Sequence, residues 1–341
     1  MTRAIFLALC LASATAHADV WQRAIDTTDS TKDRFESAMQ DGDELAQRAN
    51  AKSQNRAIVT SLVDQAIRSY REAGAVMPAN AEPYFRIASL LESFFTDCEP
   101  RGLGLVRPQT CMDRRSINVE RTKQTVDAWD EFEKRAPLDP RLAETLFSRA
   151  ILRTKLVQTS SKDAKVFLEG AMRDYTAMLD RADGLTMVSM EQVWGNLAET
   201  YMMLGKLEQA IDAYSVAIER GGNSSTFYGK AVALDRDEQE AAALELIRAQ
   251  GVRAFKEFDS QFAAGDVFFV PKGEEFYYFA LIHEAFGYHI EAIANWRLFI
   301  KSGAHPVYHP RAKAHIDALL IKQKTNPRPP LRPDLNDFFV P

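Results

Sequence analysis

All five histidines beyond residue 18 fall within one stretch: His283, His289, His305, His309 and His315. Neutral imidazole is a common ligand for zinc and related metals, so this clustering is the first place to look for chemistry. Its spacing does not support a metal centre. His305 and His309 each precede a proline, no HExxH motif is present, and no carboxylate stands at an interval that forces convergence. A second candidate is Asp235-Arg236-Asp237-Glu238, whose acids are close enough to act as an acid–base pair. They fall at the expected turn between two helices, where carboxylates are solvated and their pKa values are not driven apart. The nucleophile elbow GxSxG, the phosphate loop GxxxxGK[ST] and the dinucleotide fingerprint GxGxxG are all absent. Gly102-Leu-Gly104 is too short a fragment to cradle phosphate. The expectation is a protein without catalysis or cofactor.

What must position these side chains is helical. The 341 residues are 46% apolar and 26% charged, with alanine far outnumbering valine and only 16 Gly and 14 Pro. A net charge of -5 disfavours a nucleic-acid partner, because phosphate binding needs a basic field. Arg3, the apolar run Ala4 to Leu11 and the ending Ala16-His17-Ala18 follow the order of a secretory signal, with cleavage expected after Ala18. No stretch reaches the roughly 20 apolar residues of a membrane-spanning helix. Export, most simply to the periplasm of a Gram-negative bacterium, makes Cys98 and Cys111 an expected disulfide. Closing the Gly- and Pro-rich loop between them is worth about 3 kcal/mol in the chain-entropy model.

The strongest pattern is internal repetition. Trp194, Leu197, Ala198 and Tyr201 form one helical face, Gly205 marks a turn, and Ala210, Tyr214 and Ala217 form a second face. Phe276, Phe279, Ala280, His283, Gly287, Ala292, Trp296 and Phe299 repeat the spacing, which places His283 in a core position. Weaker copies are Ala66, Tyr70, Ala73 and Pro78, then Tyr84, Ile87, Ala88 and Leu91, then Thr125, Trp129, Phe132 and Pro137. Another runs through Ala143, Leu146, Phe147, Ala150, Ala171, Tyr175 and Met178, whereas Tyr228 to Gln250 is helical by pattern but fits poorly. This pattern closely resembles the tetratricopeptide repeat, in which small residues let paired helices approach and aromatic residues fill the space between them.

The resemblance implies an all-α, right-handed α-solenoid of irregular helix hairpins with capping helices at both ends. Residues 1–18 are the expected signal and 19–50 the N-terminal cap, with a helix from Asp29 to Arg48. Residues 51–303 form the repeat array with the cysteine loop inserted, 304–324 the C-terminal cap with a helix from Pro310 to Lys322, and 325–341 an extended Pro-rich tail. It further implies a first-helix face that binds peptides or proteins. Carried onto this chain, that face has Phe85, Arg86, Ser89 and Glu92; Gln192, Asn196, Glu199 and Met202; and Glu274, Tyr277, Tyr278 and Glu284. Arg86 is its only cation, so the expected partner is a segment with basic character, in keeping with a scaffold for envelope proteins. The alternative is a small-ligand or metal-binding protein that uses the histidine region. Finally, Phe268-Phe269-Val270-Pro271 recurs as Phe338-Phe339-Val340-Pro341, which suggests tail-mediated association through Phe338 and Phe339.

Overall fold

In a computed structural model the placement of residues 27, 29–52, 55–96, 117–181, 188–264, 267, 269 and 271–327 is described. The expected signal, the Cys98–Cys111 pair, Phe268, Val270 and the tail from residue 328 lie outside the described residues. Every regular element among the described residues is helical. Contacts divide the chain into two compact units, one of residues 1–111 with 127–137 and the other of 112–126 with 138–341.

The first unit holds α1 (29–51), α2 (Arg56–Val76), α3 (Glu82–Leu91) and the second half of α4 (Val119–Arg135). Asn55 begins α2, its side chain accepting the Ile58 amide. Glu92–Thr96 continues α3 as one widened turn. Tyr70 is almost wholly buried and donates its hydroxyl to Asp43 at 2.7 Å, tying α2 to α1. Phe85 meets Trp129 and Phe132 at 5.5 and 5.3 Å between ring centroids. Arg135 stacks on Tyr84 and donates to the Pro78 carbonyl at 2.6 Å.

In the second unit, α5 (Leu142–Leu156) and α6 (Ala164–Leu179) form a first hairpin, joined by residues 157–163. Then come α7 (Met190–Met203) with α8 (Leu207–Glu219), α9 (Ser224–Arg236) with α10 (Glu240–Ala264), and α11 (Glu275–Ala285) with α12 (His289–Ser302). The last helix, α13 (His309–Thr325), stands without a hairpin mate among the described residues. Three turns are built alike. The Lys206, Gln239 and Tyr288 amides donate to the carbonyls of Tyr201, Leu234 and His283 at 2.9, 2.9 and 2.8 Å. The residues just before those donors, Gly205, Glu238 and Gly287, have φ of 72°, 63° and 76°. That left-handed conformation suits glycine and costs about 1–2 kcal/mol elsewhere.

Glu238 explains why the middle copy is hard to see in the sequence: it replaces the expected turn glycine. Counted from that turn, an aromatic residue followed four positions later by alanine recurs in α7, α9 and α11 as Trp194/Ala198, Phe227/Ala231 and Phe276/Ala280. Tyr308/Ala312 repeats it at the start of α13. These four alanines, and Ala210, Ala243 and Ala292 on the mates, are fully buried where helices touch. First helices also meet across repeats, α7 with α9 and α9 with α11. Gly251, with φ 69° and ψ 177°, breaks α10, and its second half carries Phe255, Phe258 and Phe262 onto the aromatic residues of α11.

Candidate functional site

The repeat register makes Met202, Asp235 and Glu284 equivalent positions at the ends of three successive first helices. All three are buried, and the two acids anchor a polar network joining α9, α11 and α13. Arg311 grips Asp235 with two hydrogen bonds, Nε to Oδ2 at 2.8 Å and Nη2 to Oδ1 at 2.6 Å. Tyr277 donates its hydroxyl to Asp235 Oδ2 at 2.5 Å, and His315 Nε2 lies 3.2 Å from Oδ1. The other His315 nitrogen, Nδ1, lies 2.8 Å from Glu284 Oε2, and Trp296 stacks on the imidazole at 4.6 Å. Next along α9, Arg236 Nη2 donates to Glu274 at 2.7 Å, and both side chains are fully enclosed. The guanidinium lies 4.9 Å from the Tyr277 ring and 4.5 Å from Tyr308, so two aromatic faces stabilise a cation whose Nε and Nη1 have no hydrogen-bond partner among the described residues. His305 Nε2 meets the second Glu274 oxygen at 2.9 Å.

The charges follow from this geometry. Burial alone would raise the Asp235 carboxyl, but hydrogen bonds from His315, Arg311 and Tyr277 outweigh it and hold the pKa at about 2. Burial alone would lower His315, yet its carboxylate partners Asp235 and Glu284 raise it to about 9. An imidazole that faces a carboxylate oxygen at each nitrogen is an imidazolium donating both protons. Glu240, Glu284 and His315 bring ligand atoms within 4.8 Å of one another, a spacing that could otherwise suit a cation. As a double donor His315 offers no lone pair, so the trio is an ion-pair cluster. The other histidines are engaged too: His283 donates to the Phe279 carbonyl, and burial lowers its pKa. His289 meets Gln323, and His309 donates to the Ala304 carbonyl.

The reading of Asp235 and Arg236 as solvated turn residues is therefore corrected. They end α9 in a closed interior because α13, some 76 residues later, supplies the counter-charges of Asp235, and Glu274 at the start of α11 supplies that of Arg236. Four residues of the expected binding face are corrected with them: Glu274, Tyr277, Tyr278 and Glu284 are buried partners of this network and of the aromatic core. Met202 and Glu92 are also buried. Phe85, on the first unit, packs against aromatic rings, Ser89 is half-buried, and exposed Arg86 pairs with Glu82 at 3.0 Å.

Three face residues in the second unit keep contact with solvent, all on α7. Gln192 is exposed, while Asn196 and Glu199 are partly so. Glu199 Oε2 accepts the Tyr214 hydroxyl at 2.6 Å and the Tyr278 hydroxyl at 3.2 Å. Burial and repulsion from Glu274 outweigh those donors and raise its carboxyl to about 7. Gly229 on α9 makes this cradle possible, since a Cβ there would come within 2.5 Å of the Tyr214 ring. A second enclosed charge group joins α5 and α6: Arg149 holds Asp174 at 3.0 and 2.6 Å, and Arg153 adds a bond at 2.6 Å. Sequence reasoning placed Asp235 and Arg236 in solvent and missed Arg311 and the Asp174 group, and only the offset Phe227, Ala231, Ala243 signalled the α9 hairpin.

No protein-family model and no curated protein matches the sequence. Solved structures similar to this chain include PilF of Pseudomonas aeruginosa, at 12% identity and a TM-score of 0.41, covering 84% of this chain and 99% of that one. MamA of Desulfovibrio magneticus is similar at 15% identity and a TM-score of 0.40, covering 64% and 97%. A thermophilic TPR protein of Thermus thermophilus is similar at 12% identity and a TM-score of 0.36, covering 68% and 97%. No helix among the described residues is long and apolar enough to cross a membrane. With three like turns and a fourfold aromatic–alanine signature, the described residues form an all-α array of helix hairpins similar to tetratricopeptide-repeat structures.

Proposed function

We propose that this protein is an interaction scaffold, exported to the cell envelope, whose second unit captures a basic segment of a partner protein on α7. The observation that carries this reading is Glu199. Its carboxyl is held by two tyrosine hydroxyls on a first helix, in a residue that is itself partly exposed, and Gln192 on the same helix is exposed. With a pKa of about 7, it is partly protonated at neutral pH. An arriving lysine or arginine favours the ionised form, so binding releases a proton and tightens as pH rises from about 6 to 8. The buried network of α9, α11 and α13 supports this surface by fixing the hairpins rather than by touching the partner. The order of residues 1–18 supports export, and the acidic balance supports a basic partner.

Envelope extracts passed over the immobilised wild-type protein and over Glu199→Gln and Gln192→Arg test the reading. A specific partner is expected to be recovered by the wild type and reduced about tenfold or more by either variant, a change of about 1.4 kcal/mol. Equal recovery by folded variants, checked by thermal melting, places the binding surface elsewhere. Fusion of residues 1–18 to a reporter that is active only after export tests the compartment: an inactive reporter overturns it.

A further inference from the structure

The tetrapeptide Phe-Phe-Val-Pro occurs at residues 268–271 and again at 338–341, each time with an aspartate one or two positions upstream, Asp266 or Asp337. The first copy shows what such a segment can bind. Phe269 lies 4.7 Å from the Tyr278 ring, 5.7 Å from Phe262 and 6.2 Å from Phe258, all tilted or edge-on geometries favourable for aromatic pairs. Its seat is therefore built by the second half of α10 and the first turn of α11. Phe269 remains partly exposed, so the seat opens to solvent and can exchange its occupant without dismantling the core. A chemically identical segment ends the chain.

That second copy has the reach to compete. Fourteen residues follow Pro327, and a chain of that length can reach at most about 46 Å at about 3.3 Å per residue. The end of α13 is anchored near α11: Gln323 meets His289 at 3.2 Å, and Lys322 stands 3.5 Å from Glu284. Tyr278 lies six residues before Glu284 on α11, about 9 Å along the helix. Tethering replaces bimolecular capture by an effective concentration in the millimolar range, enough for a weak aromatic motif. We propose that Phe338-Phe339-Val340-Pro341 competes, within its own chain, for the aromatic seat that Phe269 fills. The two copies make the seat a two-ligand site, and displacement of the internal copy frees the segment between α10 and α11.

A fluorescein-labelled peptide of residues 330–341 is titrated into three full-length chains. One carries Phe338→Ser and Phe339→Ser, leaving the seat filled and the tail inactive. One adds Phe269→Ala to these, leaving the seat vacant and the tail inactive. One carries Phe269→Ala alone, leaving the vacant seat to the native tail. The triple variant is expected to bind the peptide about tenfold or more tightly than either other chain, and a peptide with both phenylalanines replaced by serine is expected not to bind. No saturable binding by the triple variant, or equal affinity for all three, overturns the proposal. Should Phe269→Ala prevent folding, the tail-inactive chain with native Phe269 gives a second reading. Excess peptide should then accelerate amide exchange at residues 267–270 about threefold or more, and unchanged exchange overturns the proposal. Sedimentation of Phe269→Ala from about 2 to 200 μM should show one unchanging mass, whereas association with concentration assigns the tail to a second copy and overturns the competition within one chain.

Discussion

Replacing His315 by glutamine removes a charge that touches both Asp235 and Glu284 through its ring nitrogens, and its consequence depends on pH in a defined way. The groups facing the imidazole are Asp235 on α9, Glu240 on α10, Glu284 on α11 and the Trp296 ring on α12, with Arg311 and Lys322 on its own helix. Folding raises its pKa from an ordinary 6.5 to about 9. A raised pKa means that the folded state binds the proton more tightly. The associated stability is fully present below pH 6.5 and is lost as pH climbs through 9. At about 1.4 kcal/mol per pH unit that interval amounts to about 3 kcal/mol, and solvent screening takes little from it because the side chain is 2% exposed. For a unit of this size the difference corresponds to about 6–12 °C in melting temperature. Wild type and His315→Gln are melted between pH 6 and pH 10, followed by circular dichroism and by fluorescence of Trp296, which stacks on residue 315. The variant is expected to melt well below the wild type at pH 6, with the gap largely closed at pH 10, since titrations common to both chains cancel in the difference. Parallel curves across this range would refute the imidazolium assignment and the linkage argument built on it.

Glu199→Gln should show a different profile. Folding raises this carboxyl to about 7, so the wild type loses stability between pH 4.5 and 7, and the variant should gain on it over that interval in melts at pH 4.5 and pH 8. Gly229→Ala forces the Tyr214 ring away from α9 and should cost about 1–3 kcal/mol by urea denaturation; a cost below about 0.5 kcal/mol would show that the ring relocates freely. Asp174→Asn leaves Arg149 and Arg153 enclosed without their shared carboxylate and should lower stability by about 3–5 kcal/mol in the same assay.

Local pattern made the hairpins legible. Trp194 with Ala198 and Ala210, and Phe276 with Ala280 and Ala292, mark close helix approaches wherever they occur, because a residue's size and its spacing of four on a helix act within one or two turns. The turn glycines at 205 and 287 were equally readable, and Glu238 hid the α9 hairpin by occupying a glycine's conformation. Residues from Asp29 onward are helical, and α13 begins at His309, one residue before Pro310.

Solvent access along the first-helix face followed no such rule. Tyr277 and Tyr278 have the same local spacing as Gly195 and Asn196, yet the tyrosines are buried and Asn196 is not. The difference lies in what packs over each helix: the second half of α10 and α13 cover α11. Asp235 likewise reads as a surface acid until Arg311 and His315 arrive from 76 and 80 residues away. Ion pairs of that span leave no periodicity, since any of the chain's acids and bases could supply the charge and only the fold selects which. The sequence by itself determined an all-α repeat chain, its small-residue contacts and its turns. The tertiary structure alone decided which polar residues were enclosed as a charged staple and which, like Glu199 on α7, stayed partly exposed.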